Sequence, residues 1–192
     1  MSTVKSNTPQ RRFAQLAALG EVVFHSRDLA NLWDISDKNT LHTTLKRYTA
    51  QGLIFRVFRG LYAIKPIDKL NPFLLGTKAT GEFAYVSTET VLAKEGVITQ
   101  SIGPITLVGQ KSKNFTLANN EYKVRQLNDQ FLFNPVGIIE IDAARTASLE
   151  RAVADMLYFN PKAFFDAENL IDWKKVNTLQ KEMGYQVTKQ KI

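Results

Sequence analysis

The chain has no cysteine. That excludes a disulfide framework, a thiol nucleophile and a thiolate metal site. Histidine is nearly absent too: His25 and His42 are the only two. A triad-type hydrolase or a His-rich zinc centre in the remaining sequence is thereby excluded, and no metal is expected. No apolar run approaches the roughly 20 residues that span a bilayer. The opening MSTVKSNTPQRR lacks the apolar stretch of a secretory signal. The expected setting is therefore the cytoplasm, without a membrane partner. No G-x-G-x-x-G, P-loop or G-x-S-x-G occurs, so no nucleotide cofactor or serine nucleophile is indicated, and no cofactor is expected.

Acidic residues are scarce in one region only. Residues 1–65 carry ten Lys and Arg against four Asp and Glu, whereas residues 66–192 carry fifteen against fourteen. Nearly the whole net charge of +7 thus sits in the first third of the chain. A surface of that kind attracts polyanions, nucleic acid above all.

The same third has a recognisable pattern. Phe13, Leu16, Ala17 and Leu19 give Pro9–Leu19 a helical face, which Gly20 ends. Val22, Val23 and Phe24 form a short β-prone bridge. Ser26 is placed to cap a second helix, Arg27–Trp33. Asp34–Asp37 is a turn, and Ser36 or Asp37 caps a third helix running to about Gln51, with Leu41, Leu45 and Tyr48 inward. Phe55–Ile64, FRVFRGLYAI, reads as a tight basic hairpin with its turn at Arg59-Gly60. Three helices and a two-stranded wing make a winged helix-turn-helix. In that arrangement Asn39, Thr40 and Thr43, early on the third helix, face base edges. Arg27, Lys38, Lys46, Arg47, Arg56 and Arg59 suit phosphates, and Gly60 allows the wing to turn. The bland reading of each is an ordinary solvated side chain. His42 reads as a side-face residue.

Residues 66–82, punctuated by Pro66, Pro72, Gly76 and Gly81, read as a connector. Beyond it, residues 83–185 read as an α+β domain. Ser87 caps a helix to about Glu95. Ile105–Val108, Phe115–Leu117, Glu121–Leu127 and Val136–Ile141 are strands. Ser148 caps an apolar helix, Leu149–Phe159, and Asp172 caps Trp173–Met183. Residues 186–192 read as a frayed tail.

Chemistry is thin in this second part. Glu121 and Lys123 share one side of a strand, like half of a metal-dependent nuclease site, but the preceding strand offers no acidic partner, and a solvated ion pair explains them as well. Arg151 and Asp155, four apart, form either a helix-surface pair or a tie between helix and sheet. With Arg145 they are candidates for a functional surface.

In order and spacing, the RGLYAI wing (Arg59–Ile64), AYVSTETVLAKEGV (Ala84–Val97), ITLVG (Ile105–Gly109) and ASLERAVADML (Ala147–Leu157) resemble the AbiE-type abortive-infection antitoxins, the DNA-binding half of type IV toxin–antitoxin pairs. The resemblance covers about Arg11–Gly184. It implies a repressor that binds inverted repeats in its own promoter, as a dimer on DNA, and counters a nucleotidyltransferase-like toxin. It implies no catalytic residues, with Arg59, Gly60 and Tyr62 as the wing signature and Arg151 and Asp155 as the C-terminal one. The competing readings are a solitary winged-helix regulator whose C-terminal domain dimerises or senses a ligand, and a nuclease built on Glu121 and Lys123.

Overall fold

The computed structural model describes residues 9–99 and 103–188. The chain is α+β and divides into two compact units, Met1–Leu70 and Asn71–Ile192.

In the first unit, α1 (Pro9–Ala18), β1 (Val23–His25), α2 (Ser26–Leu32), α3 (Lys38–Ala50), β2 (Phe55–Phe58) and β3 (Leu61–Ala63) follow one another. The hairpin does not stand alone. β3 pairs antiparallel with both neighbours, giving the order β1-β3-β2, so Phe24 lies opposite Tyr62 and Arg56 does too on the other side. Leu16, Phe24, Leu29, Trp33, Leu45, Tyr48 and Ile54 form the core, with Trp33 set edge-on to Tyr48 at 5.6 Å. The helix α2 begins a residue earlier than its sequence suggests: His25, not Ser26, holds the cap position, and its N–H donates to the Asp28 carboxylate at 3.1 Å. Asp37 caps α3, accepting from the Thr40 N–H at 2.6 Å.

The expected connector is largely structured. A 3-10 turn, Ile67–Lys69, precedes helix α4 (Pro72–Ala79), which Asn71 caps and Pro72 starts. Of the residues that read as punctuation there, Pro72 is a helix start and Gly76 a close contact. Gly76 lies so near Tyr122 that a Cβ there would stand 2.4 Å from the ring. The Tyr122 hydroxyl donates to the Pro72 carbonyl at 2.9 Å.

The second unit continues with β4 (Ala84–Val86), α5 (Glu89–Lys94), β5 (Ile105–Gly109), β6 (Lys113–Leu117), β7 (Asn120–Gln126), α6 (Asp129–Leu132), β8 (Ile138–Ile141), β9 (Ala144–Ala147), α7 (Leu149–Phe159) and α8 (Trp173–Met183). Its six-stranded mixed sheet runs β6-β7-β5-β4-β9-β8. The sheet is buried on both faces at its centre. Leu107, Tyr122 and Val124 face α4, while Tyr85 and Thr106 face α5 and α7, and α8 packs on α7. Within the tail expected to fray, Thr188 donates its N–H to the Gln180 side chain at 2.9 Å, and residues 189–192 lie outside the described residues.

Candidate functional site

Helix α3 is one-sided. Thr44, Leu45 and Tyr48 are buried and Leu41 half-buried, while Lys38, Asn39, Thr40, His42, Thr43, Lys46 and Arg47 are exposed. Spacing sorts the exposed side further. Asn39, Thr43 and Lys46 stand at i, i+4 and i+7, along the line farthest from the core. Thr40 belongs with Arg47 on one flank, and its hydroxyl and N–H both bond the Asp37 carboxylate, which lowers that carboxyl's pKa. His42 stands on the opposite flank, exposed and beside Lys38 and Lys46. Arg47 is braced by the Tyr48 ring, 5.5 Å away.

The hairpin presents its arginines differently. Phe55 and Val57 turn inward while Arg56 and Phe58 turn outward, and a bulge falls between Arg56 and Phe58. Arg59 is exposed at the tip. Gly60, with φ of 87°, makes the turn that a side chain would resist, and its carbonyl accepts from the Ser26 N–H at 2.8 Å. That bond fixes the tip beside the start of α2, where Arg27 lies exposed next to Asp28. The candidate residues of the first unit thus lie on α3, on the hairpin and at the start of α2, all exposed except the half-buried Gly60.

The candidates of the second unit do not form a surface. Arg151 and Asp155 are completely buried, and only Arg145 is exposed, its guanidinium 4.8 Å above the Phe83 ring. All five Arg151 N–H groups are used. Nε donates to Asp155 Oδ1 at 3.0 Å, Nη1 to the Asn134 and Val136 carbonyls, and Nη2 to the Phe131 carbonyl and the Tyr85 hydroxyl. Asp155 accepts three more bonds, from the hydroxyls of Tyr85 (2.9 Å), Ser87 (2.8 Å) and Tyr185 (2.8 Å). Burial, and then the Asp155 charge, push both tyrosine hydroxyls far above their ordinary pKa, so they stay protonated and donate. A buried ion pair is tolerable only when its remaining hydrogen bonds are satisfied, and here they are. Its work is to join α7 to β4, to the chain around α6 and to the end of α8. The tie between helix and sheet is the correct alternative for Arg151 and Asp155.

Sequence reasoning missed this network because Ser87 looked like a helix cap. Instead its hydroxyl reaches Asp155, and Thr88 occupies the cap position of α5 without a side-chain cap bond. Thr88 is fully buried at φ 50°, ψ −129°, a conformation unfavourable for a β-branched residue. The available signal was composition: beyond Glu150 in its first turn, Arg151 and Asp155 are the only charges in an otherwise apolar helix, where a charge must be paired.

Glu121 and Lys123 do share one exposed side of β7, with Thr116 and Asn114 opposite them on β6. Among the described residues no group of three or more acidic or histidine side chains is placed to hold a metal ion, and no helix is long and apolar enough to cross a membrane.

No family model matches the chain, and no curated protein matches it. A crystal structure of the Rv2827c protein from Mycobacterium tuberculosis is similar, at 12% sequence identity and a TM-score of 0.51, over 90% of this chain and 70% of that one. At that identity the likeness concerns the fold alone.

Proposed function

We propose that the chain is a DNA-binding antitoxin and autorepressor of a type IV, AbiE-like toxin–antitoxin operon. The first unit acts as a winged helix-turn-helix. The observation that carries this reading is the outer side of α3, where Asn39, Thr43 and Lys46 line up and Arg47 flanks them without a neighbouring carboxylate on that helix. Its one acidic neighbour, Asp37, is held at the helix start by Thr40. Asn39 and Thr43 are suited to base edges in the major groove, and Lys46 and Arg47 to phosphates. Arg56 and Arg59 on the hairpin reach the flanking backbone as a wing. Two copies on an inverted repeat would place two such helices in successive major grooves. The second unit contributes the toxin-directed half of the activity, as the sequence resemblance implies.

Gel shifts with DNA from upstream of the protein's own coding region test the repressor. Retarded bands that Asn39→Ala and Thr43→Ala weaken for the operator but not for random DNA are the expected result. Absence of binding at low salt sinks it. Co-expression with a nucleotidyltransferase encoded alongside tests the antitoxin: loss of its toxicity is expected, and unabated toxicity leaves a solitary regulator.

A further inference from the structure

A helix lying in a major groove has a sugar–phosphate strand on each side. The groove is about 12 Å wide and a helix with its side chains about 10–12 Å across, so both flanks of the helix meet backbone. On α3 the DNA-directed reading uses the outward line of Asn39, Thr43 and Lys46 and one flank, that of Arg47. Lys38 and His42 make the opposite flank. Residues 38, 42 and 46 follow one another at four-residue intervals, about 6 Å apart along the axis, and all three are exposed.

His42 serves no internal purpose that its surroundings reveal. Its side chain is outside the core of the unit, and among the described residues no hydrogen bond or ion pair engages it. No acid occurs on α3 from Lys38 to Ala50, and Asp37, just before the helix, is engaged by Thr40 on the other flank. A histidine between two lysines differs from a third lysine in one respect. Imidazole is the side chain that changes charge between about pH 5 and 8. With the proton on, both ring nitrogens donate and the flank presents three cations in a row. Without it the middle member is neutral and one nitrogen accepts.

We propose that His42 holds a phosphate of the strand on the Lys38 side, and does so as imidazolium, so that binding of DNA takes up a proton. The inference rests on the DNA-directed reading of α3. A phosphate within hydrogen-bonding reach favours the charged ring, so affinity for DNA rises as pH falls. A phosphate contact carries no sequence information, so the effect is the same on operator and on random DNA.

Salt titrations of DNA binding by the full chain, at about pH 5.5 and about pH 7.5, test it. With no cysteine present, His25 and His42 are the only side chains that ordinarily change charge in that interval. At the lower pH the slope of log affinity against log salt is expected to be steeper by up to about 0.9, and the affinity about tenfold higher at about 0.1 M salt. His42→Gln is expected to make the two pH values equal at the weaker level, and His42→Lys to make them equal at the tighter one. His25→Gln is expected to leave the difference in place. Both variants at position 42 should melt where the unchanged chain does, since the position is exposed. A pH difference that survives His42→Gln, or none in the unchanged chain, overturns the proposal and leaves the DNA-directed reading standing. A difference confined to operator DNA overturns it in favour of a base contact. Absence of DNA binding at both pH values removes that reading, and this inference with it.

Discussion

The two units treat charge in opposite ways. In the first, every candidate cation is at the surface and the core is apolar, closed around Trp33 and Tyr48. In the second, Arg151 and Asp155 are sealed inside and saturated with hydrogen bonds. An exposed cation contributes little to stability and is available to a partner. A buried ion pair is available to nothing, and its loss is costly because one partner stays behind uncompensated. The distribution of charge therefore separates binding from architecture, even where residue types look alike along the sequence.

That contrast can be broken most directly at Asp155. Asp155→Ala strands the Arg151 guanidinium and is expected to cost about 3–5 kcal/mol, read as a lower urea midpoint. A loss no larger than that of a surface substitution would mean that the network is not the tie described. Next comes Gly76. Its Ala variant drives a methyl into the Tyr122 ring and is expected to cost about 1–3 kcal/mol. Adding Tyr122→Leu should recover part of that loss, and strict additivity of the two changes would contradict the close approach.

The cations of the first unit should behave in the opposite manner. Lys46→Ala and Arg59→Ala are expected to leave stability within about 0.5 kcal/mol. Each should reduce the slope of log affinity for DNA against log salt by about 0.9. Unchanged slopes in both variants would remove these side chains from the interface. The smallest effect is acid sensitivity at Asp37. Bonds from the Thr40 hydroxyl and N–H hold its carboxyl below the usual carboxylate range. Its contribution is therefore present above the ordinary value of about 3.9 and lost as pH falls through the lower folded value. Asn caps equally well without titrating, so Asp37→Asn should flatten the acid loss of helical circular dichroism. Superimposable acid profiles would contradict that.

Much of the fold was legible where its causes are local. Asp37, Ser148 and Asp172 cap helices whose first N–H groups lie within three residues, and each does so in the structure. The third helix and the hairpin likewise follow from spacing. The strand β9 was missed because Ala144-Arg145-Thr146-Ala147 has little β-branched character, and because its turn, Asp142-Ala143, uses positive φ at residues other than glycine. The strand β4 and helix α6 are too short to show a period. Pro72 and Gly76 were taken for breaks because one starts a helix and the other touches a ring that lies 46 residues further on in sequence, at Tyr122. Some partners of Arg151 and Asp155 are more distant still. Nothing near residue 155 announces Tyr85, which is 70 residues away, or Tyr185, 30 away.

Those separations bear on the order of events during synthesis. The first unit has all its strands and its core by Leu70, and a chain emerging N-terminus first can close it early. The second unit must wait for Tyr185 before Asp155 has its full set of donors. Until then Tyr85 and α7 hold a buried charge pair whose last bond has not been made. The first unit is thus closed while the second is still incomplete, and for that interval a nascent chain carries one folded module rather than two.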